Sequence, residues 1–405
     1  MSELSTPSLS AFRRDCERAL ARFGVARTAG LMPNQSGESA HVAWAREFQH
    51  DLFEAGLAGL MYPEAVGGRG LGSEYQEAFN QAGEAYFFSP VFNVTLAVIG
   101  PTLMEFGSAA QQAAYIPRML NGDDLWVQCL SEPSGGSDLA GARTSATRDG
   151  YEFRLNGSKM WTTNAQYADR ALVLARTDSS VPKHRGLSMF VIDLGATGVT
   201  VVPIKMVDGR EEFCQEFFDD VAVSLEALVG VENDGWTVAR RVMVHERNMI
   251  AGSGFDGGVV EKRNWNPSVD EVLAIARERV LLDNDAVLEL LAEAIVAKCT
   301  AEALRSWIPE QVLRGALPES GPSIAKLWSS TSNYRRSEIA VELSGLAGVI
   351  WDGPTTASGL ASLWPGARSV TIGGGTNEVT RNQIAEHILG LPREPATDAG
   401  KPFAS

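Results

Sequence analysis

Three blocks of different hydrophobic period run along the chain. From about Ser10 to Gly122 the apolar positions recur at helical spacing, as at Val42, Ala45, Phe48, Leu52 and Phe53, which predicts helices with one face turned to a core. The stretch Gly67-Gly68-Arg69-Gly70-Leu71-Gly72 interrupts them. It lacks G-x-G-x-x-G spacing and a strand–glycine–helix setting, so it reads as a connecting loop rather than a dinucleotide site. Between Leu125 and about Val231 the period falls to two. Tyr151, Phe153 and Leu155 alternate with polar neighbours, Asp149-Gly150 and Asn156-Gly157 read as hairpin turns, and 171–175, 187–193 and 199–204 read as further strands. Helical spacing returns from Trp236, with apolar faces over 286–307, 323–346 and 377–389, the last closed by Gly390 and Pro392. The predicted organisation is a helical domain at 1–124, a β domain at 125–235, a helical domain at 236–395 and a tail at 396–405. The loop 252–270 and the residues after Arg393 are expected to be mobile.

A chain of 405 residues exceeds one hydrophobic core and is long enough to bury a cofactor. Its net charge of −15 repels nucleic acid and anionic membrane, so an anionic ligand has to be held by local groups. The loop Pro182-Lys183-His184-Arg185-Gly186 is a basic island in this acidic chain, readable either as a solvated turn or as a phosphate contact. Cys16, Cys129, Cys214 and Cys299 are scattered without a C-x-x-C pair, which reads as reduced packing cysteines. The N-terminus lacks the apolar core of a signal peptide and no apolar run approaches about 20 residues, so the expectation is a cytoplasmic protein without a membrane span.

The candidate chemistry sits in two segments. Cys129 to Gly141 read C-L-S-E-P-S-G-G-S-D-L-A-G, offering backbone amides, the Ser131 hydroxyl and a glycine pair that lets the main chain approach an anionic or carbonyl-rich group. Lys159-Met160-Trp161-Thr162-Thr163-Asn164 adds an indole beside hydroxyls, suited to stacking on a flat heteroaromatic ring and hydrogen-bonding its edge. Together they point to a flavin.

With these segments, the stretch 230–236 (G-V-E-N-D-G-W), the terminal Gly374-Gly375-Thr376-Asn377-Glu378-Val379-Thr380-Arg381 and the closing Ala385-Glu386-His387-Ile388-Leu389-Gly390, the chain resembles the acyl-CoA dehydrogenase family over nearly its full length. The resemblance implies a mainly α fold with an N-terminal helical domain, a middle β-barrel-like domain and a C-terminal four-helix bundle. It implies FAD as cofactor, an acyl-CoA substrate, an electron-transferring flavoprotein as partner, and a homotetramer or homodimer, with a hetero-oligomer as the alternative. Position by position it places Gln128, Leu130 and Ser131 along the isoalloxazine edge, Trp161 over one flavin face and Thr163 at the hydride-accepting N5. Gly136 and Ser137 fall near the pyrophosphate or the pantetheine arm, and Thr376 and Glu378 near the diphosphate and adenosine. Glu342 and Gly345 occupy the glycine-rich turn that serves the diphosphate, although that turn reads E-L-S-G-L-A-G here. The family's Arg-x-x-Phe-Gly grip on FAD is replaced by Ala276-Arg277-Glu278-Arg279-Val280. Lys183 and Arg185 are the candidates for the CoA phosphates, and Ser137 and Arg247 for other substrate contacts.

The implied reaction is α,β-dehydrogenation, in which a carboxylate removes a weakly acidic α-proton while the β-hydride goes to the flavin. In one branch of the family that glutamate precedes the Gly-Thr of the terminal motif, where this chain has Gly374. In another it sits on the first long helix of the C-terminal domain, directly before an arginine, where this chain has Glu246-Arg247. Glu246 is therefore the expected base, and the Gly374 amide the expected donor to the thioester oxygen. Position 249 is Met, so the zinc pattern H-E-x-x-H is absent and no metal is expected. Gly373 and Gly374 open space near the reacting carbons, which favours a branched or ring-bearing acyl group. Two other readings stay open: a non-catalytic FAD-binding subunit of a hetero-oligomer, and a flavin oxidase or monooxygenase on the same fold.

Overall fold

The computed structural model describes residues 7–26, 38–207, 209–251, 267–350, 360–395 and 400–403. The chain divides into two compact units, one comprising 1–204, 212–262 and 398–405, the other 205–211 and 263–397.

The first unit opens with helices α1 (Leu9–Phe23), α2 (Glu38–Glu54), α3 (Ser73–Gly83), α4 (Gly100–Phe106) and α5 (Ala109–Leu120). The predicted face of α2 is the one that packs: Phe48 and Leu52 join Phe12, Leu20 and Phe79 in one cluster, while Val42 and Ala45 join a second with Leu103, Ile116 and Trp126. Ser108 begins α5 with a capping box, its hydroxyl accepting from the Gln111 amide while the Gln111 side chain accepts from the Ser108 amide.

Eight strands follow: β1 (Trp126–Cys129), β2 (Ser145–Asp149), β3 (Glu152–Thr163), β4 (Arg170–Arg176), β5 (Leu187–Asp193), β6 (Val199–Ile204), β7 (Phe213–Ser224) and β8 (Leu228–Val229). They form one sheet ordered β6-β7-β3-β2-β4-β5-β8, with β1 pairing in parallel on β4. The Asp149-Gly150 turn closes the β2–β3 hairpin, with Gly150 in the left-handed region at φ 59°. Asn156-Gly157 is not a turn: β3 runs straight through it. The Asn156 side chain instead accepts from the Asp220 amide at 2.9 Å, and a Cβ on Gly157 would stand 2.7 Å from the Thr144 backbone. Here glycine serves close approach at a bulge rather than chain reversal. Helix α6 (Gly235–Ala251) follows the strands in this unit, burying Val238, Ala239 and Val242 in the cluster that holds Trp126. Residues 400–403 also belong here, and 402 and 403 are fixed on the β domain through residues 181 and 182, against the expectation of a mobile tail.

The second unit holds α7 (Val269–Glu278), α8 (Asp285–Leu313), α9 (Pro322–Ser344), α10 (Leu360–Gly366) and α11 (Asn377–Gln383). Val272, Ala276, Val287, Leu291, Ile339 and Leu343 form its core. The predicted loop 252–270 lies outside the described residues up to 266, and its last residues start α7 with a Ser268–Glu271 capping box. Among the described residues no helix is long and apolar enough to cross a membrane.

Phe153 is buried in the β domain with its ring edge-on to Phe190, centroids 5.0 Å apart. Phe153→Ala is expected to cost about 3–5 kcal/mol, read as an earlier midpoint in chemical unfolding of the full chain.

Candidate active site

The two motif segments lie side by side because β1 ends where the second half of β3 passes. The Met160 amide donates to the Ser131 carbonyl at 2.9 Å. Glu132 and Gly135 exchange backbone hydrogen bonds of 3.1 and 3.0 Å, folding residues 132–135 into a tight turn. A Cβ on Gly135 or Gly136 would meet nothing nearer than 3.8 or 3.7 Å, so both open onto free space that a ligand could fill. Ser137 is exposed on the same turn.

Alternation along β3 buries Phe153, Leu155 and Lys159, and continued alternation would bury Trp161. It does not, because the register slips between Met160 and Thr162. Trp161 is the extra residue of that bulge, with φ 71°, and its indole is turned out to 55 % exposure, edge-on to Phe213 at 6.1 Å. A tryptophan in the left-handed region costs free energy that ordinary strand packing would not require. The bulge also turns Thr162 inward and returns Thr163 to the open side, half-buried.

Behind these segments lies a buried polar cluster. The Lys159 ammonium, fully buried, donates to the Leu130 carbonyl at 3.0 Å and to Glu132 Oε1 at 2.9 Å. Glu132 also accepts from the Arg143 and Thr144 amides at 2.7 and 2.9 Å. Burial pushes the Glu132 carboxyl up, but the Lys159 charge and these donors outweigh it and hold the group below its ordinary value. Burial lowers the Lys159 value, with Glu132 opposing. Glu216, also fully buried, accepts from the Thr162 hydroxyl at 2.7 Å, and its second oxygen has no partner; burial raises its carboxyl to about 7. Sequence reasoning missed this cluster as a unit. A lysine within a strand that alternates inward was its one visible sign.

Gln128 on β1 has a buried side-chain oxygen without a partner, and Leu130 is buried. An unpartnered amide acceptor, an open glycine turn and an indole turned outward form a cradle that fits a flat heteroaromatic cofactor with a phosphate-bearing arm. In the basic loop, Lys183 is paired with Asp138 at 3.1 Å, His184 stacks edge-on against Trp236, and Arg185 is exposed.

Glu246 and Arg247 are half-buried on α6. Burial lowers the Arg247 value, with the Glu246 charge opposing, so the two are electrostatically coupled. One turn earlier, Glu105 takes Arg241 with two bonds of 2.8 Å and His245 at 3.0 Å, pinning α6 to α4. In the second unit, Gly374 and Gly375 have φ 66° and 92°, and Lys326 donates to the Gly375 carbonyl. Thr376 caps α11 by accepting from the Val379 amide at 3.2 Å, and Glu378 stands exposed in the first turn. Glu342 is exposed near the end of α9; Gly345 follows with φ 58°, its open side filled by the Arg279 guanidinium, which donates to the Leu343 carbonyl. Arg279 is thus used inside its own unit. Among the described residues no His, Cys, Asp and Glu cluster could hold a metal.

Three domains of one family match the chain: the acyl-CoA dehydrogenase N-terminal domain at 19–123, the middle domain at 128–221 and the C-terminal domain at 233–389. Among curated proteins, the acyl-CoA dehydrogenase IpdE1 of Mycobacterium tuberculosis (strain ATCC 25618 / H37Rv) is 34 % identical over 355 residues, covering 86 % of this chain and 88 % of that protein. Among solved structures, the Tcur3481–Tcur3483 steroid ACAD is 29 % identical with a TM-score of 0.76, covering 97 % of this chain and all of that one. The ChsE4–ChsE5 complex from Mycobacterium tuberculosis is 26 % identical with a TM-score of 0.71, again over 97 % of this chain and all of that one.

Glu216 provides a test of the buried cluster. Its folded value of about 7 lies above the ordinary 4.5, so its contribution to stability is intact below 4.5 and is lost as pH rises through 7. Glu216→Gln removes that titration. The variant's Tm, relative to the parent, should therefore rise between about pH 5 and about pH 8 in scanning calorimetry; a difference that stays constant would mean that Glu216 does not titrate in this range.

Proposed function

The chain belongs to the acyl-CoA dehydrogenase family of oxidoreductases, and from that premise we propose that it is an FAD-dependent enzyme converting an acyl-CoA thioester to the 2-enoyl-CoA, with Glu246 as the base. Two positions, each considered within its own unit, support this reading. Gly374 has no side chain and a φ of 66°, where any other residue would be strained, while Glu246 is half-buried on α6 beside Arg247. Glu246 takes the α-proton, and Arg247 orients its carboxylate and favours the charged form between turnovers. The Gly374 amide donates to the thioester oxygen, where negative charge grows as the proton leaves. FAD, when bound, accepts the hydride from the β-carbon.

Gln128, Leu130, Ser131, Gly136 and Thr163 are the proposed contacts of the flavin ring and its phosphates in the β domain, with Trp161 on one face. Glu342, Gly345, Thr376 and Glu378 are the proposed contacts from the second unit. Arg185, exposed and in a basic loop, is the better candidate for a CoA phosphate, since Lys183 would have to leave Asp138. The side-chain-free Gly373-Gly374 pair and the likeness to a structure described as a steroid ACAD both support a ring-bearing acyl group. A partner subunit is supported by α8, which exposes Leu288, Ile295, Val296 and Trp307 within one stripe. An electron-transferring flavoprotein is the proposed acceptor. A second reading, a flavin-binding subunit in a mixed assembly, draws on the two-protein composition named for the ChsE4–ChsE5 complex.

The test is anaerobic mixing of the FAD-loaded protein with straight-chain, branched and steroid-bearing acyl-CoAs while the flavin absorbance is followed. Bleaching is expected, slowed roughly 10²–10⁴-fold in Glu246→Gln. Bleaching unchanged in that variant would remove Glu246 as base. None with any thioester would favour the non-catalytic subunit, and rapid reoxidation in air would favour an oxidase.

A further inference from the structure

Residues 400–403 lie beyond residue 389, where the match to the family's C-terminal domain ends, yet they join the first unit. Pro402 bridges Pro182, and the Phe403 amide donates to the Val181 carbonyl at 3.0 Å. The Phe403 ring lies over the Arg176 guanidinium, 3.7 Å from ring centroid to the guanidinium carbon. Arg176 is itself only 4 % exposed at the end of β4. Its nitrogens donate to the Ala142, Ala140 and Lys183 carbonyls at 3.0, 2.5 and 3.2 Å.

One buried guanidinium thus ties the end of the signature loop to the basic loop through main-chain acceptors, and its flat face is covered by an aromatic ring. A planar cation is well suited to this arrangement, because in-plane N–H groups can be saturated while the face remains free for a ring. The same ring lines a pocket with Leu130, Glu132, Gly135, Asp138 and Arg143. These are the residues of the loop whose shape the buried Lys159–Glu132 pair fixes from the other side.

We propose that Phe403 is a positioning residue: by covering Arg176 it keeps the loops 139–143 and 182–186 in register, and it walls the pocket so that an acyl-CoA thioester meets a preformed signature loop. The ligand part of this inference rests on the function proposed above; the loop part does not. Without the ring, water reaches the guanidinium and competes for it with the three carbonyls, so the loops open more often.

The experiment uses the full FAD-loaded chain as parent, Phe403→Ala, Phe403→Leu and Phe403→Tyr. Hydrogen exchange at the amides of 139–145 and 183–186 should accelerate roughly five- to thirtyfold in the Ala variant and be restored in the Tyr variant, as loss and recovery of a partly buried cation–π contact require. The Leu variant, which keeps apolar cover without a π face, should fall between them and guards against a poorly folded Ala variant. With acyl-CoA, KM should rise several-fold in the Ala variant while kcat stays within about twofold, since ordering the loop is a binding cost. Unchanged exchange in both the Ala and Leu variants overturns the positioning role. Accelerated exchange with unchanged KM overturns the link to the ligand. If the parent itself reacts with no acyl-CoA, the proposed function fails, and exchange alone decides whether Phe403 holds the loop.

Discussion

A lysine buried inside a β domain dictates much of what surrounds it. An unpaired ammonium in such a place costs several kcal/mol, so Lys159 requires a carboxylate and further acceptors within reach. Glu132 and the Leu130 carbonyl supply them. Because Lys159 is on β3 while Leu130 and Glu132 follow β1, satisfying one charge fixes two segments that are distant in sequence. The Glu132 carboxylate then takes the Arg143 and Thr144 amides, which carries the constraint to the far end of the signature loop. The turn between, with its open glycines, is held at its ends by these bonds and by Arg176 and the Lys183–Asp138 pair, and this leaves its glycine side free for a ligand.

The bulge at Trp161 follows from the same arrangement. Glu216 lies on β7 opposite Lys159 in register, also fully buried, and needs a donor. The Thr162 hydroxyl provides it, which is possible only if β3 gains a residue between Met160 and Thr162. Inserting Trp161 there moves Thr162 inward and sends the indole outward. The strained φ at Trp161 is therefore tied both to a buried acid and to an exposed aromatic surface, so relaxing it would lose two features at once.

The layout of the fold was readable because each block has a consistent hydrophobic period: the face predicted for α2 packs, as do Phe153 and Leu155 on β3, whereas Tyr151, read as part of the same face, lies in the β2–β3 turn and is exposed. The Asn156-Gly157 reading failed because local chemistry alone does not separate a chain reversal from a bulge; the difference lies in Asp220 and Thr144, distant in sequence. Nothing in the sequence beyond its place in the alternation marks Lys159 as an organiser, since a strand lysine ordinarily faces solvent and its partner is 27 positions away. Arg176 and Phe403 were invisible for a related reason. A guanidinium bound to main-chain carbonyls leaves no complementary residue type to search for. The roles proposed for Gly374 and Glu246 come only from family likeness, because a glycine in place of a carboxylate carries meaning only against a pattern.

Charge and geometry divide their roles unevenly in this chain. With a net charge of −15, long-range attraction cannot gather an anionic ligand, so recognition depends on groups whose field acts over a few ångströms. Several of the cations around the signature loop are already spent: Lys159 on Glu132, Lys183 on Asp138, Arg176 on three carbonyls. They act as internal fasteners. What faces outward is backbone amide, hydroxyl and aromatic surface together with the exposed Arg143 and Arg185, so charge there acts only at short range alongside shape and hydrogen-bond direction. Such a site gains its affinity from preorganisation, and the buried fasteners are where that preorganisation is stored.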